Sequence, residues 1–168
     1  VIVGIEAQAF TGPSNLVKEG TGGDAILSGN SSSYTGNIYI NAGTLRAASN
    51  NALGTAAGST TVAGGSTLAI GGGSNLAIGE ALNLSGDGAG GNGALRNTAN
   101  ANTLSGAVTL NSATRFQSDA GTLTLSGGVA GVNTTLTTTG AGNITLSGVI
   151  ATGAGGLRKE GSGTLTLS

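Results

Sequence analysis

Short runs in which apolar and polar residues alternate, each closed by glycine, asparagine or serine, follow one another along the whole chain. The alternation is period two, the signature of a half-buried β-strand. Examples are Asn-Ile-Tyr-Ile-Asn (37–41), Thr-Leu-Arg-Ala-Ala (44–48), Thr-Thr-Val-Ala (60–63), Ala-Leu-Asn-Leu-Ser (81–85) and Thr-Leu-Thr-Leu-Ser (122–126 and 164–168). No helical periodicity persists over a useful length, and the abundant Thr and Asn suit strands and turns better than helices. Strands are therefore expected at 25–28, 37–41, 44–48, 60–63, 67–70, 75–78, 81–85, 94–97, 107–111, 114–117, 122–126, 134–139, 143–147 and 164–168.

Strands this short, joined by glycine-rich links, make poor sandwich or hairpin faces. They suit a parallel β-helix, an all-β solenoid with three short strands per coil and corners where Gly and Asn accept left-handed dihedrals. Coils stack about 4.8 Å apart, so inward aliphatics form ladders. At roughly 20 residues per coil the 168 residues would make about eight coils, a rod about 40 Å long.

Composition agrees with thin, repeated layers. The chain has 34 Gly, 1 Pro, 2 Tyr, 2 Phe and no Trp or Met, so the interior must come from Leu, Ile, Val and Ala. Charged residues are 8%, against about 25% in a typical domain. A net charge of −1 with scattered basic residues argues against nucleic acid as a partner. No apolar run is long enough for a membrane-crossing helix, so no helical transmembrane segment is expected. The opening Val-Ile-Val-Gly-Ile-Glu-Ala-Gln-Ala-Phe (1–10) lacks a basic leader and reads as a strand capping the first coil.

The segment 16–28, Leu-Val-Lys-Glu-Gly-Thr-Gly-Gly-Asp-Ala-Ile-Leu-Ser, returns one position shorter at 157–168, an offset of 141. Three parts follow: an N-terminal capping segment (1–15), a β-helix repeat unit (16–156), and the start of a second copy (157–168). Residues 16–46 resemble the passenger-associated repeat of bacterial autotransporters. Leu16, Lys18, Gly20, Gly22, Leu27, Ser28, Gly29, Tyr34, Thr35, Gly36, Ile40, Gly43 and Leu45 fall at its marked places, and 155–168 matches it again. The chain departs from the pattern at 22–28, where one residue is inserted and Asp24 appears, so a wider corner is expected there. The resemblance implies a right-handed parallel β-helix, exported by a type V-like route and held at the bacterial cell surface or secreted, as a stiff stalk or adhesion scaffold. Its partners would be neighbouring solenoid repeats, copies of itself end to end, or cell-surface glycans or proteins. A self-assembling filament is the alternative, and a polysaccharide-active enzyme a more distant one.

Chemistry is sparse. Absence of His and Cys removes Ser-His and Cys-His pairs and most transition-metal sites, so no catalytic, metal or cofactor residues are assigned and no enzyme is expected. The seven acids are dispersed, which argues against a glycosidase carboxylate pair. Gly-Asp-Gly-Ala-Gly-Gly (86–91) matches a dinucleotide fingerprint in letters, but no helix follows, so a corner loop is expected. In Gly-Gly-Asn-Gly-Ala-Leu (90–95) a calcium repeat would need Asp where Leu95 stands. Lys18-Glu19 and Lys159-Glu160 read as solvated corner pairs, Tyr34 as packed over a coil edge, and Tyr39 as an outward surface contact. Thr-x-Thr occurs at Thr122/Thr124, Thr135/Thr137 and Thr164/Thr166; intervals of 13 and 29 are too irregular for a flat ice-binding array.

Overall fold

The computed structural model describes residues 9–168; the first eight positions, most of the expected capping strand, lie outside the described residues. The described chain winds into a parallel β-solenoid of about seven turns with no α-helix. Each coil supplies a strand to up to three faces. Face 1 stacks Leu16–Lys18, Ile38–Ile40, Ser59–Val62, Ala81–Gly86, the first part of Val108–Ser118, Val129–Gly131 and Ile150–Ala151. Face 2 stacks Asp24–Leu27, Gly43–Ala47, Ser66–Ile70, Leu95–Asn97, the second part of Val108–Ser118, Leu136–Thr139 and Leu157–Lys159. Face 3 stacks Ala77–Ile78, Ala101–Leu104, Thr122–Leu125, Asn143–Leu146 and Leu165–Leu167. Thr11–Gly12 and Ser33–Tyr34 pair at the corresponding place in the coil order. In the second coil, residues 50–53 form a turn there, filled by buried Ala52 and Leu53.

Register explains why the rod has about seven coils, one fewer than expected. On face 1 Leu16 pairs with Ile38 and Ile38 with Thr60, two equal steps close to the assumed coil length. Thr60 to Leu82 repeats the step, but Leu82 is then carried on to Val108, and on face 2 Leu68 to Leu95, both longer. The excess lies in the loop 86–93, whose centre is a short 3-10 turn, Ala89–Gly91. Beyond it the step shortens again and becomes almost constant, as in Val108 to Val129 to Ile150 and Leu123 to Ile144 to Leu165. The fingerprint-like glycines are thus a corner insertion, as expected, with Leu95 fully buried beyond them.

Alternation sorts side chains as the sequence implies. Ile38 and Ile40 are wholly buried with Tyr39 between them facing outward. Leu16, Ile38, Leu82, Val108 and Val129 line face 1, Leu45, Leu68, Leu95 and Phe116 line face 2, and Ile78, Leu104, Leu125 and Leu146 line face 3. Each such side chain contributes roughly 1.5–3 kcal/mol by burial. Parallel pairing of successive coils satisfies the backbone groups that a rod only three strands around would otherwise leave open.

Several strands lie outside the expected set: Thr11–Gly12, Leu16–Lys18, Ser33–Tyr34, Ala101–Leu104, Val129–Gly131, Ile150–Ala151 and Leu157–Lys159. Most are too short to display an alternation. The runs at 107–111 and 114–117 form one strand, Val108–Ser118, which crosses the corner between faces 1 and 2 with Asn111, Ser112 and Ala113 exposed.

Candidate functional site

The solvent-facing residues differ from face to face, and that difference defines where chemistry can occur. Face 2 carries the charge. Arg46 pairs with Asp24 at 2.8 Å and Arg96 with Asp119 at 2.7 Å. Arg115 reaches Glu160 at 3.2 Å and Asp87 at 3.7 Å, and Arg158 also meets Glu160 at 2.9 Å. The four arginines and four acids in these pairs balance, and partly exposed pairs of this kind each add little stability.

The corner after Leu16–Lys18 is wide, as the insertion implies. Asp24 comes six positions after Lys18, whereas in the next coil Thr44 comes four after Ile40, the residues that pair with them. Lys18 differs from expectation. It is 3% exposed, and its Nζ donates to the carbonyls of Glu19 (3.0 Å), Gly20 (2.6 Å) and Ala42 (3.1 Å). The bond to Ala42 ties the corner to the next coil. Glu19 stays outside and accepts from Asn41 Nδ2 at 2.7 Å. Lys159, in the second copy, repeats the bonds to its own corner, at Glu160 O (2.6 Å) and Gly161 O (2.7 Å), while remaining exposed. The copies lie on different sides of the rod: 16–18 is on face 1, 157–159 on face 2.

Tyr34 is buried, with its ring centroid 6.0 Å from that of Phe10 and its hydroxyl donating to Asn37 O at 3.0 Å. Tyr39 is half-buried on face 1, between Val17 and Thr61 in the register. Further along that side an open depression of about 510 Å³ is lined by Thr109, Leu110, Asn111, Ala130, Gly131 and Thr134 among others, with no ionisable group.

One ionisable group has no outlet. Glu80 is 2% exposed, and neither carboxylate oxygen has a well-formed hydrogen bond. Burial pushes its carboxyl up to about 8, a rise that the neighbouring Thr60 hydroxyl only partly offsets. The equivalent positions in neighbouring coils are Gly36, Gly58, Gly106, Gly127 and Gly148, where a Cβ would fall on backbone of the adjacent coil. Glu80 Oε1 lies over Gly58, 3.5 Å from where a Cβ there would stand, which is ordinary contact. Glu80 also raises the pKa of buried Tyr34 electrostatically, after the larger effect of burial. In the sequence Glu80 looks like one more corner acid; only the stacked glycines reveal it as an interior one.

Face 3 carries neither charge nor aromatic ring on its outward positions. Thr103, Thr124, Thr145 and Thr166 stand side by side on successive coils. Ala101, Thr122, Asn143 and Thr164 flank them on one side, and Ser105, Ser126, Ser147 and Ser168 on the other. This corrects the expectation of irregular threonine spacing. Thr135/Thr137 lies on face 2, where Thr137 sits between Arg115 and Arg158. The discriminating signal is the tripeptide Thr-Leu-Ser at 103–105, 124–126, 145–147 and 166–168, which recurs at one fixed interval.

No group of three or more acids among the described residues could hold a metal ion. The fold and the outward rows together define a parallel β-solenoid with one ion-paired face and one hydroxyl-bearing face. No family model matches the chain, and comparisons with curated proteins and with solved structures find no match.

Proposed function

We propose that this chain is an extracellular structural or adhesive module of a bacterial surface or secreted protein, a stiff stalk exported by a type V-like route. The observation that carries the reading is the parallel pairing of each coil with the next along faces 1 and 2, which makes a rod stiff along a single axis. Support comes also from the passenger-like motif at 16–46, whose Lys18 and Gly20 build a corner. A scaffold needs backbone ladders and aliphatic stacks rather than a reactive constellation, and both run the length of the described chain. Tyr39, outward on face 1, is the residue proposed for contact with a glycan or protein.

The test is display: the chain is fused ahead of an outer-membrane translocator barrel and its surface exposure followed by protease shaving of intact cells. A protease-resistant rod at the surface, with adhesion to a glycan or matrix panel reduced by Tyr39→Ala, is the expected result. Retention inside the cell, or hydrolysis of any polysaccharide in the panel, would overturn it. End-to-end stacking into a filament is the second reading. Concentration-dependent growth of fibres by electron microscopy would select it.

A further inference from the structure

The hydroxyl rows of face 3 are regular in two directions. Successive coils lie about 4.8 Å apart, and residues two apart along a strand about 6.6–6.8 Å apart, so the three rows form a two-dimensional grid over four coils. Twelve positions make the grid, and ten of them carry a hydroxyl; Ala101 and Asn143 are the exceptions. Beneath the first three coils Leu104, Leu125 and Leu146 are almost fully buried; Leu167, beneath the fourth, is exposed.

The grid is stiff and unsatisfied. Thr is β-branched, with few χ1 choices on a strand. None of the six threonines makes a side-chain hydrogen bond to the protein, whereas Ser105, Ser126 and Ser147 each lean on a carbonyl of the preceding coil at 3.4–3.5 Å. The serine row therefore repeats a single orientation, and the threonine rows keep their hydroxyls and methyls for whatever lies outside.

Each ordinary partner class lacks its handle here. A phosphate or a metal needs charge, and the ion pairs are on face 2 and its corners. Protein interfaces centre on buried Tyr, Trp and Arg anchors, of which the grid has none. A sugar platform needs an aromatic ring for stacking. A surface of alternating hydroxyl and methyl groups, repeating in two directions, is complementary to a partner that repeats likewise and consists wholly of hydrogen-bond donors and acceptors. Crystalline water is that partner, with oxygen–oxygen repeats in the same range of a few ångströms.

We propose that face 3 of the last four coils binds ice. Ordering one water against a protein costs up to about 2 kcal/mol, so isolated hydroxyls hold no lattice. A pre-set grid loses almost no side-chain entropy and adds many weak contacts in register. The methyls fit between lattice waters while the hydroxyls take places in the hydrogen-bond network. This goes beyond the stalk reading and does not depend on it, since a rod with no affinity for ice is still a stalk.

The experiment follows a single ice crystal in a solution of the full chain near the freezing point, measuring thermal hysteresis and incorporation of labelled protein into the crystal. Wild type is expected to show both. Thr124→Tyr with Thr145→Tyr, which breaks the grid with strand-favouring side chains, is expected to lose both; Thr61→Tyr with Thr109→Tyr, on face 1, is expected to keep them. Circular dichroism and melting confirm that each variant is folded, and Thr124→Val with Thr145→Val, which preserves shape, provides a second loss if the tyrosines unfold the rod. Absence of hysteresis in folded wild type, or its persistence in the grid variants, overturns the proposal. So does a dimer by sedimentation that the grid variants dissolve, because the face would then be covered by a second copy.

Discussion

Replacing Glu80 by glutamine should abolish a pH dependence of stability that the wild type carries. The folded carboxyl sits at about 8 instead of 4.5 because burial disfavours the anion, so between these values the folded chain holds a proton that the unfolded chain has released. Stability therefore falls as pH rises through this window, is fully retained below about 4.5 and levels off above about 8. A rise of that size, at about 1.36 kcal/mol for each tenfold change in the proton equilibrium, gives a total loss on the order of 4–5 kcal/mol. Of this, roughly 3 kcal/mol is lost between pH 4 and pH 7, and about 1 more by pH 9. Glu80→Gln keeps the shape and the unpaired polar atoms while removing the charge, so its own stability should be flat in pH where the wild type declines. The assay is urea unfolding of both proteins at pH 4, 5.5, 7 and 9, followed by circular dichroism, with the difference read at each pH. Parallel curves for the two proteins across that range would refute the argument, since they would mean that the carboxyl is solvated and titrates normally. A raised pKa revealed by glutamate side-chain NMR with no stability change would mean that the unfolded chain's carboxyl is raised equally, and would refute the reference value of 4.5.

Two further perturbations read the corners. Gly121 lies in the left-handed region at φ 73°, and a Cβ there would fall on the carbonyl of Asn100, so Gly121→Ala should cost about 2 kcal/mol or more, read as a lower melting temperature. Lys18→Met removes an ammonium that holds three carbonyls and should cost about 1.5–3 kcal/mol, whereas Lys159→Met, exposed in the second copy, should leave the melting curve nearly unchanged.

Much of the architecture is legible in the sequence because a strand's alternation is a local property. Ile38, Tyr39 and Ile40 sort themselves by backbone pleat alone, and the glycine at 43 opens the next strand at the expected corner, with φ 73°. Strands such as Ile150–Ala151 are invisible there because they exist by pairing with Val129–Gly131, and so short a strand has no pattern of its own. Lys18 reads as solvated for a related reason: burial of its charged head depends on three carbonyls, one of them from the next coil.

Residue identity and period two are enough to establish an all-β chain built of thin coils with small aliphatic interiors. They also establish that histidine and cysteine are missing. Which outward residues share a face is settled only by stacking. Asp24 meets its partner Thr44 after a short coil, whereas Leu68 meets Leu95 after a much longer one, so distance along the chain does not convert into position around the rod. Thr135 and Thr137 therefore belong to the charged face, while Thr103, Thr124, Thr145 and Thr166 align on another. Glu80 is placed by the same winding, which sets its carboxylate over Gly58 of the preceding coil.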